Sequence, residues 1–303
     1  MALAHAEQQA ATCLAFSPDG KKLAIGTQIG EVAILNLESR TVEGRWHTEK
    51  WAVFGITWTP DSRDVVAACA NGLLKRFCAD CGSLRTTFDT WEADGTPNQN
   101  LGGHADRNLW DAFVTRDGST MLTGGWNGTT RLWNLTTGKM TQAFPDVERS
   151  TQGVKFTPDE RHIVTNGLMS DSAIVRTADT FKVRARLDAK GRDIAVHPDG
   201  QLIAAATVHE VYLFRLNLSD PSDEQTTEYQ ELVDQVADPD EQVHTTATKK
   251  LKSIGLPADS ILEQASRNAE GEALVRIKQI QAEIESPMPI ATLSGHSSEL
   301  RQV

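Results

Sequence analysis

Cysteine is scarce, with four in 303 residues. So few cannot form a disulfide framework, and they point to a reducing compartment, so a cytoplasmic location is expected. The chain also lacks any apolar run of the ~18 residues that a bilayer-spanning helix needs. Its opening, Met1-Ala-Leu-Ala-His-Ala-Glu, has neither the basic nor the apolar region of a secretory signal. Positive charge is in deficit: 30 Lys and Arg stand against 41 Asp and Glu, a formal net charge of −11. Nucleic acids and anionic membrane surfaces are polyanions, so neither is an expected partner. The sequence contains no GxSxG, no GxxxxGK[ST], no GxGxxG and no HxxxH or HExxH spacing. A catalytic residue, a cofactor and a metal are therefore not expected.

What the chain does contain is repetition. Phe16-Ser17-Pro18-Asp19-Gly20 returns as Trp58-Thr59-Pro60-Asp61-Ser62, Val114-Thr115-Arg116-Asp117-Gly118, Phe156-Thr157-Pro158-Asp159-Glu160 and Val196-His197-Pro198-Asp199-Gly200. The aspartates are spaced 42, 56, 42 and 40 residues apart. Each phrase reads as a turn, because Pro presets φ, Asp bonds back to the chain and Gly permits positive φ. Short apolar runs with period-2 alternation flank each one, as in Val32-Ala33-Ile34-Leu35-Asn36-Leu37. Four short strands per unit of about 40 residues is the rhythm of a propeller blade.

The third unit is the most specific. Gly103-His104 followed by Leu122-Thr123-Gly124-Gly125-Trp126-Asn127-Gly128-Thr129-Thr130-Arg131-Leu132-Trp133-Asn134 closely resembles the WD-repeat β-propeller family. The resemblance implies a buried hydrogen-bonded set of His104, Thr123, Asn127 and Trp133, with Asn127 departing from the family's Asp. The other units are degenerate, with Leu35, Phe77, Arg176 or Ile174, and Phe214 at the Trp position. The expected fold is an all-β propeller over residues 1–218 and 288–303, with five recognisable four-stranded blades and an inserted α-helical segment at 219–287. His104 precedes Asp117 by 13 residues, whereas 13 residues past His296 falls beyond Val303. This spacing predicts an incomplete ring, completed by further blades from a longer chain or another subunit.

Charge and period both change in the insertion. Between Ser219 and Ser286 there are 15 acidic residues against six basic. Asp238-Pro239-Asp240-Glu241 predicts a helix start with Asp as the cap and Pro at the first position. Val243, Ala247, Leu251 and Ile254 then share one face. Tyr229, Leu232, Val233 and Val236 ahead, and Ile261 and Leu262, then Leu274, Ile277, Ile280 and Ile284 behind, complete a reading of about four helices. The segment is similar to HEAT-type helices spliced into some bacterial WD-repeat proteins. Pro287-Met288-Pro289 ends it, and Ile290-Ala291-Thr292-Leu293 is read as the fourth strand of the fifth unit.

Cys78-Ala79-Asp80-Cys81 has three readings: half of a metal site, a reactive dithiol, or an inert turn. Cys13 and Cys69 lie in apolar strand contexts and read as small core residues. Trp51 and Trp110 stand where first strands begin, and Trp126 stands beside Asn127. In the family these positions open on the usual partner-binding face, so the three tryptophans, with Arg107 and Arg192, are the candidate partner-binding residues. Packing is the competing reading for the tryptophans, and solvated rim charge for the arginines. The function expected is a non-catalytic scaffold that binds a protein or peptide through the propeller face and the acidic helices. The alternative is a ligand-binding or regulatory propeller of a larger enzyme or signalling protein. The apolar first-strand residues Leu14, Ile56, Ala112 and Val154 weigh against that alternative.

Overall fold

The computed structural model describes residues 10–49, 51–89, 108–145, 150–167, 170, 172–189, 191, 193–207 and 209–294. Five four-stranded sheets account for its strands. Sheet 1 comprises β1 (Ala11–Phe16), β2 (Lys22–Thr27), β3 (Glu31–Asn36) and β4 (Val42–His47). Sheet 2 comprises β5 (Val53–Trp58), β6 (Asp64–Cys69), β7 (Leu73–Cys78) and β8 (Leu84–Asp89). Sheet 3 comprises β9 (Leu109–Val114), β10 (Thr120–Gly125), β11 (Thr129–Asn134) and β12 (Met140–Pro145). Sheet 4 comprises β13 (Gly153–Phe156), β14 (His162–Asn166), β15 (Ala173–Thr177) and β16 (Val183–Leu187). Sheet 5 comprises β17 (Asp193–Val196), β18 (Leu202–Ala206), β19 (Val211–Arg215) and, after the helices, β20 (Ala291–Leu293). In each sheet the spatial order of the strands is their order in the chain.

The repeated phrase forms the turn between the first and second strand of every sheet. In four of them a hydroxyl donates to the aspartate two residues on: Ser17 to Asp19 and Thr59 to Asp61 at 2.6 Å, Thr115 to Asp117 at 2.7 Å and Thr157 to Asp159 at 2.6 Å. In the fifth, His197 Nδ1 takes that place, 2.9 Å from Asp199. The same aspartate oxygen accepts a backbone N–H two residues further on, for example Lys21 at 3.0 Å and Gln201 at 2.8 Å. The residue after Asp has positive φ in all five copies: Gly20, Ser62, Gly118, Glu160 and Gly200. Glycine accepts that conformation without strain; Ser62 and Glu160 occupy it at a cost.

These bonds favour the ionised carboxylate. The hydroxyls of Ser17 and Thr59 hold Asp19 and Asp61 below the usual carboxylate range. Ser119, through its hydroxyl and its N–H, brings Asp117 down to about 2. Burial pushes Asp159 upward, but the Thr157 and Arg161 hydrogen bonds outweigh it, and the Gln201 N–H lowers Asp199.

At the Trp position, the bulge between Val175 and Arg176 matches the bulge between Leu132 and Trp133. Arg176 rather than Ile174 therefore occupies that place in sheet 4. The strand read after Pro289 is β20, which pairs with β19 through Val211–Leu293, Tyr212–Thr292 and Leu213–Ala291.

The chain divides into two compact units. One holds the described residues up to Phe156 with 164–170 and 191–193; the other holds 157–163, 171–190 and 194 onward. Within the first unit, the leading strands of successive sheets pack together, β1 on β5, β5 on β9 and β9 on β13. Small residues permit this approach. A Cβ on Gly55 would lie 2.7 Å from the Asp111 Cα, and one on Gly124 would lie 2.7 Å from the Thr151 carbonyl oxygen.

The second unit contains α1 (Asp223–Val236), α2 (Glu241–Ile254), α3 (Asp259–Asn268) and α4 (Gly271–Glu285). A Ser222/Gln225 capping box starts α1. Asp240 caps α2 by accepting from the Gln242 and Val243 N–H groups, and helix begins at Glu241. This corrects the expectation of an Asp238 cap with Pro239 first: Asp238 instead accepts the Asp240 N–H at 2.8 Å and positions the true cap. The predicted apolar stripes meet in one core, with Leu251, Leu262, Val236 and Ile280 fully buried. Helix α4 also packs on β16, the outer strand of sheet 4. There Arg184 reaches the Leu256 carbonyl at 2.9 Å and Asp259 at 3.5 Å, and Lys182 pairs with Asp259 and Glu263. Asp259 is 1% exposed. The helices thus share a unit with β16 and join it through the buried charge of Asp259.

Candidate interaction surface

Three of the singled-out residues sit at corresponding ends of sheets 2 and 3, where first strands begin and second strands turn into third. Trp51 lies two residues ahead of β5 and is 48% exposed. The Thr48 hydroxyl anchors its backbone by donating to the Trp51 carbonyl at 2.8 Å. Trp110 is the second residue of β9 and Trp126 begins the β10–β11 turn; both are half-buried. Their ring centroids are 5.6 Å apart, and Phe54 of β5 lies 4.5 Å from Trp110. Such tilted, offset pairs are the favourable arrangement of aromatic quadrupoles. The sequence grouped Trp51 with the other two, but among the described residues Trp51 makes no ring contact. The stack is Phe54–Trp110–Trp126, and Trp51 stands free ahead of it.

The backbone fixes this row of rings. The Trp126 N–H donates to Asn108 at 2.9 Å, and the Gly128 N–H closes the turn on Gly125 at 3.2 Å with Gly128 at positive φ. Gly55 lets β5 lie directly against the Trp110–Asp111 backbone, which is what brings Phe54 to Trp110. An isolated glycine in a strand pattern is the one signal that could have announced this approach.

Beside the stack, Asp111 bridges sheets 3 and 4 within the first unit. Its carboxylate accepts from Lys155 Nζ at 2.6 Å, the Val154 N–H at 3.1 Å and the Ala112 N–H at 2.9 Å. Burial opposes the charge on Lys155, yet Asp111 and Asp193 raise its pKa above the ordinary lysine value. Sequence reasoning missed this pair, because neither residue stands in a motif.

The hydrogen-bonded set implied by the resemblance is placed in part. Trp133, 1% exposed, donates its indole N–H to the Thr123 hydroxyl at 3.0 Å across β10 and β11. Asn127 accepts the Thr129 N–H at 3.2 Å and so shapes the turn that carries Trp126. His104, Arg107 and Arg192 lie outside the described residues. The first-strand residues Ile56, Ala112 and Val154 are buried, whereas Leu14 is 47% exposed. No helix of the described residues is long and apolar enough to cross a membrane.

Comparison with known proteins follows the same lines. Residues 2–61 match the model for the anaphase-promoting complex subunit 4 WD40 domain, and residues 95–134 match the model for the WD domain, G-beta repeat. Mouse telomerase protein component 1 is 26% identical over 219 residues, covering 65% of this chain and 7% of that protein. An uncharacterised WD repeat-containing protein of Synechocystis is 26% identical over 158 residues, covering 52% of this chain and 41% of its own length. The chain therefore spans well under half the length of these two relatives. A chain from a crystal structure of the mitotic checkpoint complex superposes with a TM-score of 0.59 at 15% identity, covering 70% of this chain and 63% of that one. Five four-stranded sheets, each with the recurring Asp turn between its first two strands, a Trp–Thr pair in the third, and WD40-model matches over residues 2–61 and 95–134 all lead to one assignment: the chain carries WD repeats, and its sheets are blades of a WD40-type propeller fold.

Proposed function

We propose that the chain is a non-catalytic scaffold that binds a protein or peptide through the aromatic edge of blades 2 and 3, with the acidic helices as a second surface. Propeller domains of this family generally mediate protein–protein interactions. The observation that carries the reading is the exposed Trp51 ahead of the Phe54–Trp110–Trp126 stack. Tryptophan offers large contact area at low entropic cost and dominates interface hot spots. The Asp111–Lys155 pair supports a rigid platform beneath it. On this reading Arg107 and Arg192 add charged contacts to the partner, and the protein works in the cytoplasm. The excess of acid on residues 219–286 favours a basic contact on the partner's side.

The test is comparative capture from the native host. Wild-type protein and the Trp51→Ala and Trp126→Ala variants are immobilised at equal density and their bound proteins quantified. A partner held by wild type and reduced by roughly tenfold or more on both variants supports the reading, that loss being about 1.4 kcal/mol or more of binding free energy. Equal capture by all three folded proteins contradicts it.

A further inference from the structure

The turn between the third and fourth strands recurs in four blades and carries a pair of side chains three residues apart: Asn36/Ser39, Cys78/Cys81, Asn134/Thr137 and Thr177/Thr180. In each the residue following the pair has positive φ: Arg40, Gly82, Gly138 and Phe181. The turns close alike, with Gly82 donating to the Cys78 carbonyl at 2.9 Å, Gly138 to Asn134 at 2.9 Å and Phe181 to Thr177 at 3.1 Å. The first side chain points back into the turn. Asn134 Oδ1 accepts the Thr137 N–H at 2.8 Å, Asn36 Oδ1 accepts the Ser39 N–H at 3.0 Å, and Cys78 Sγ accepts the Cys81 N–H at 3.3 Å. In the Thr177/Thr180 copy the two hydroxyl oxygens are 2.6 Å apart. The Thr copy shows that this backbone can hold the paired side chains within direct reach of each other, and only in blade 2 are both of them thiols.

We infer that Cys78 and Cys81 form a redox-active dithiol that reacts with low-molecular-weight disulfides and closes to a Cys78–Cys81 disulfide. Cys81 is exposed, and Cys78, whose Sγ accepts the Cys81 N–H, is buried. The Cys81 thiolate attacks one sulfur of the small disulfide RSSR, giving a mixed disulfide and expelling one thiolate. Cys78 gives up its proton to solvent and attacks the Cys81 sulfur, breaking the mixed disulfide and releasing the second thiolate. The dithiol is oxidised by two electrons and RSSR is reduced to two RSH. The surroundings suit this division of labour. Hydrogen bonding from Cys78 and Ser83, with the Arg85 charge nearby, brings the Cys81 thiol down to about 7, within the range of reactive thiols. Burial raises the other two thiols, Cys13 to about 12 and Cys69 to about 11, so neither competes at neutral pH.

The experiment treats the reduced full chain with oxidised glutathione and follows intact mass, released glutathione and a peptide map. The expected product has lost two hydrogens, carries a Cys78–Cys81 link and has released two glutathiones per chain, at a rate that rises with pH through about 7. Cys78→Ser is expected to stop at the mixed disulfide on Cys81, and Cys81→Ser to remain unmodified under the same conditions. A wild-type chain that stays fully reduced, or that stops at the mixed disulfide, overturns the inference. The wild-type map decides the matter even if a variant fails to fold.

Discussion

The blades and the inserted helices are held together in different ways. The blades repeat one local solution: an aspartate closes each first turn, bonded by a hydroxyl in four of them and by His197 in the fifth. The helices share no such recurring turn. They gather a single small core around Leu251 and Leu262 and attach it to β16 through Asp259. A structure built of repeated local bonds spreads a lost contact over many copies, whereas one built on a single core concentrates it.

The sharpest way to break the comparison is Leu251→Ala. This side chain is fully buried in the helical core, and truncation is expected to cost about 3 kcal/mol by transfer and cavity terms. Circular dichroism should show helical signal melting earlier while the sheet signal holds; simultaneous loss of both would mean that the helices carry the neighbouring strands. Next is Asp259→Asn, which leaves Arg184 and Lys182 without their shared buried partner. Lys182 is 39% exposed and keeps Glu263, so the expected loss is about 2 kcal/mol, below that of a fully enclosed pair. A denaturation midpoint unchanged from wild type would show that the helices attach by apolar contact alone.

On the blade side, Gly55→Ala drives a methyl group into the Asp111 backbone, where nothing flexible can yield. Overpacking of this kind costs about 2 kcal/mol, and the Phe54–Trp110 stack should open with it, read as a change in tryptophan fluorescence. The smallest effect is the one shared among all five turns. Their aspartates have folded pKa values below the unfolded value, so their stabilisation is complete above about pH 4 and is lost as pH falls toward the folded values, about 2 for Asp117. Each carboxylate is solvent-facing and contributes little, so the sign is an acid-side decline of the melting temperature that begins below about pH 4. Asp117→Asn should flatten a share of that decline, and an identical pH profile would contradict the role of the turn.

What could be read from the chain follows the same division. Bonds between residues a few positions apart leave a local signature, so all five Asp turns, the Trp133–Thr123 strands, the helical stripes and β20 were legible. Asp240 was misjudged for Asp238 because the Asp-Pro-Asp spacing offers two caps, and the N–H pattern that chooses between them is visible only in three dimensions. Gly55 against Asp111, Lys155 against Asp111, and Lys182 and Arg184 against Asp259 join residues 44 to 77 positions apart by the numbering. No period or motif encodes those meetings. The three tryptophans were found by type and position, but which of them stack depended on Phe54 and the glycine beside it.

The central claim is that docking uses the aromatic edge of blades 2 and 3. Hydrogen–deuterium exchange of the full chain, with and without a captured partner, tests it most directly. The account predicts protection on binding at residues 51–54, 108–111 and 125–128. Protection confined to residues 223–285, with the tryptophan segments exchanging as in the free protein, would contradict it.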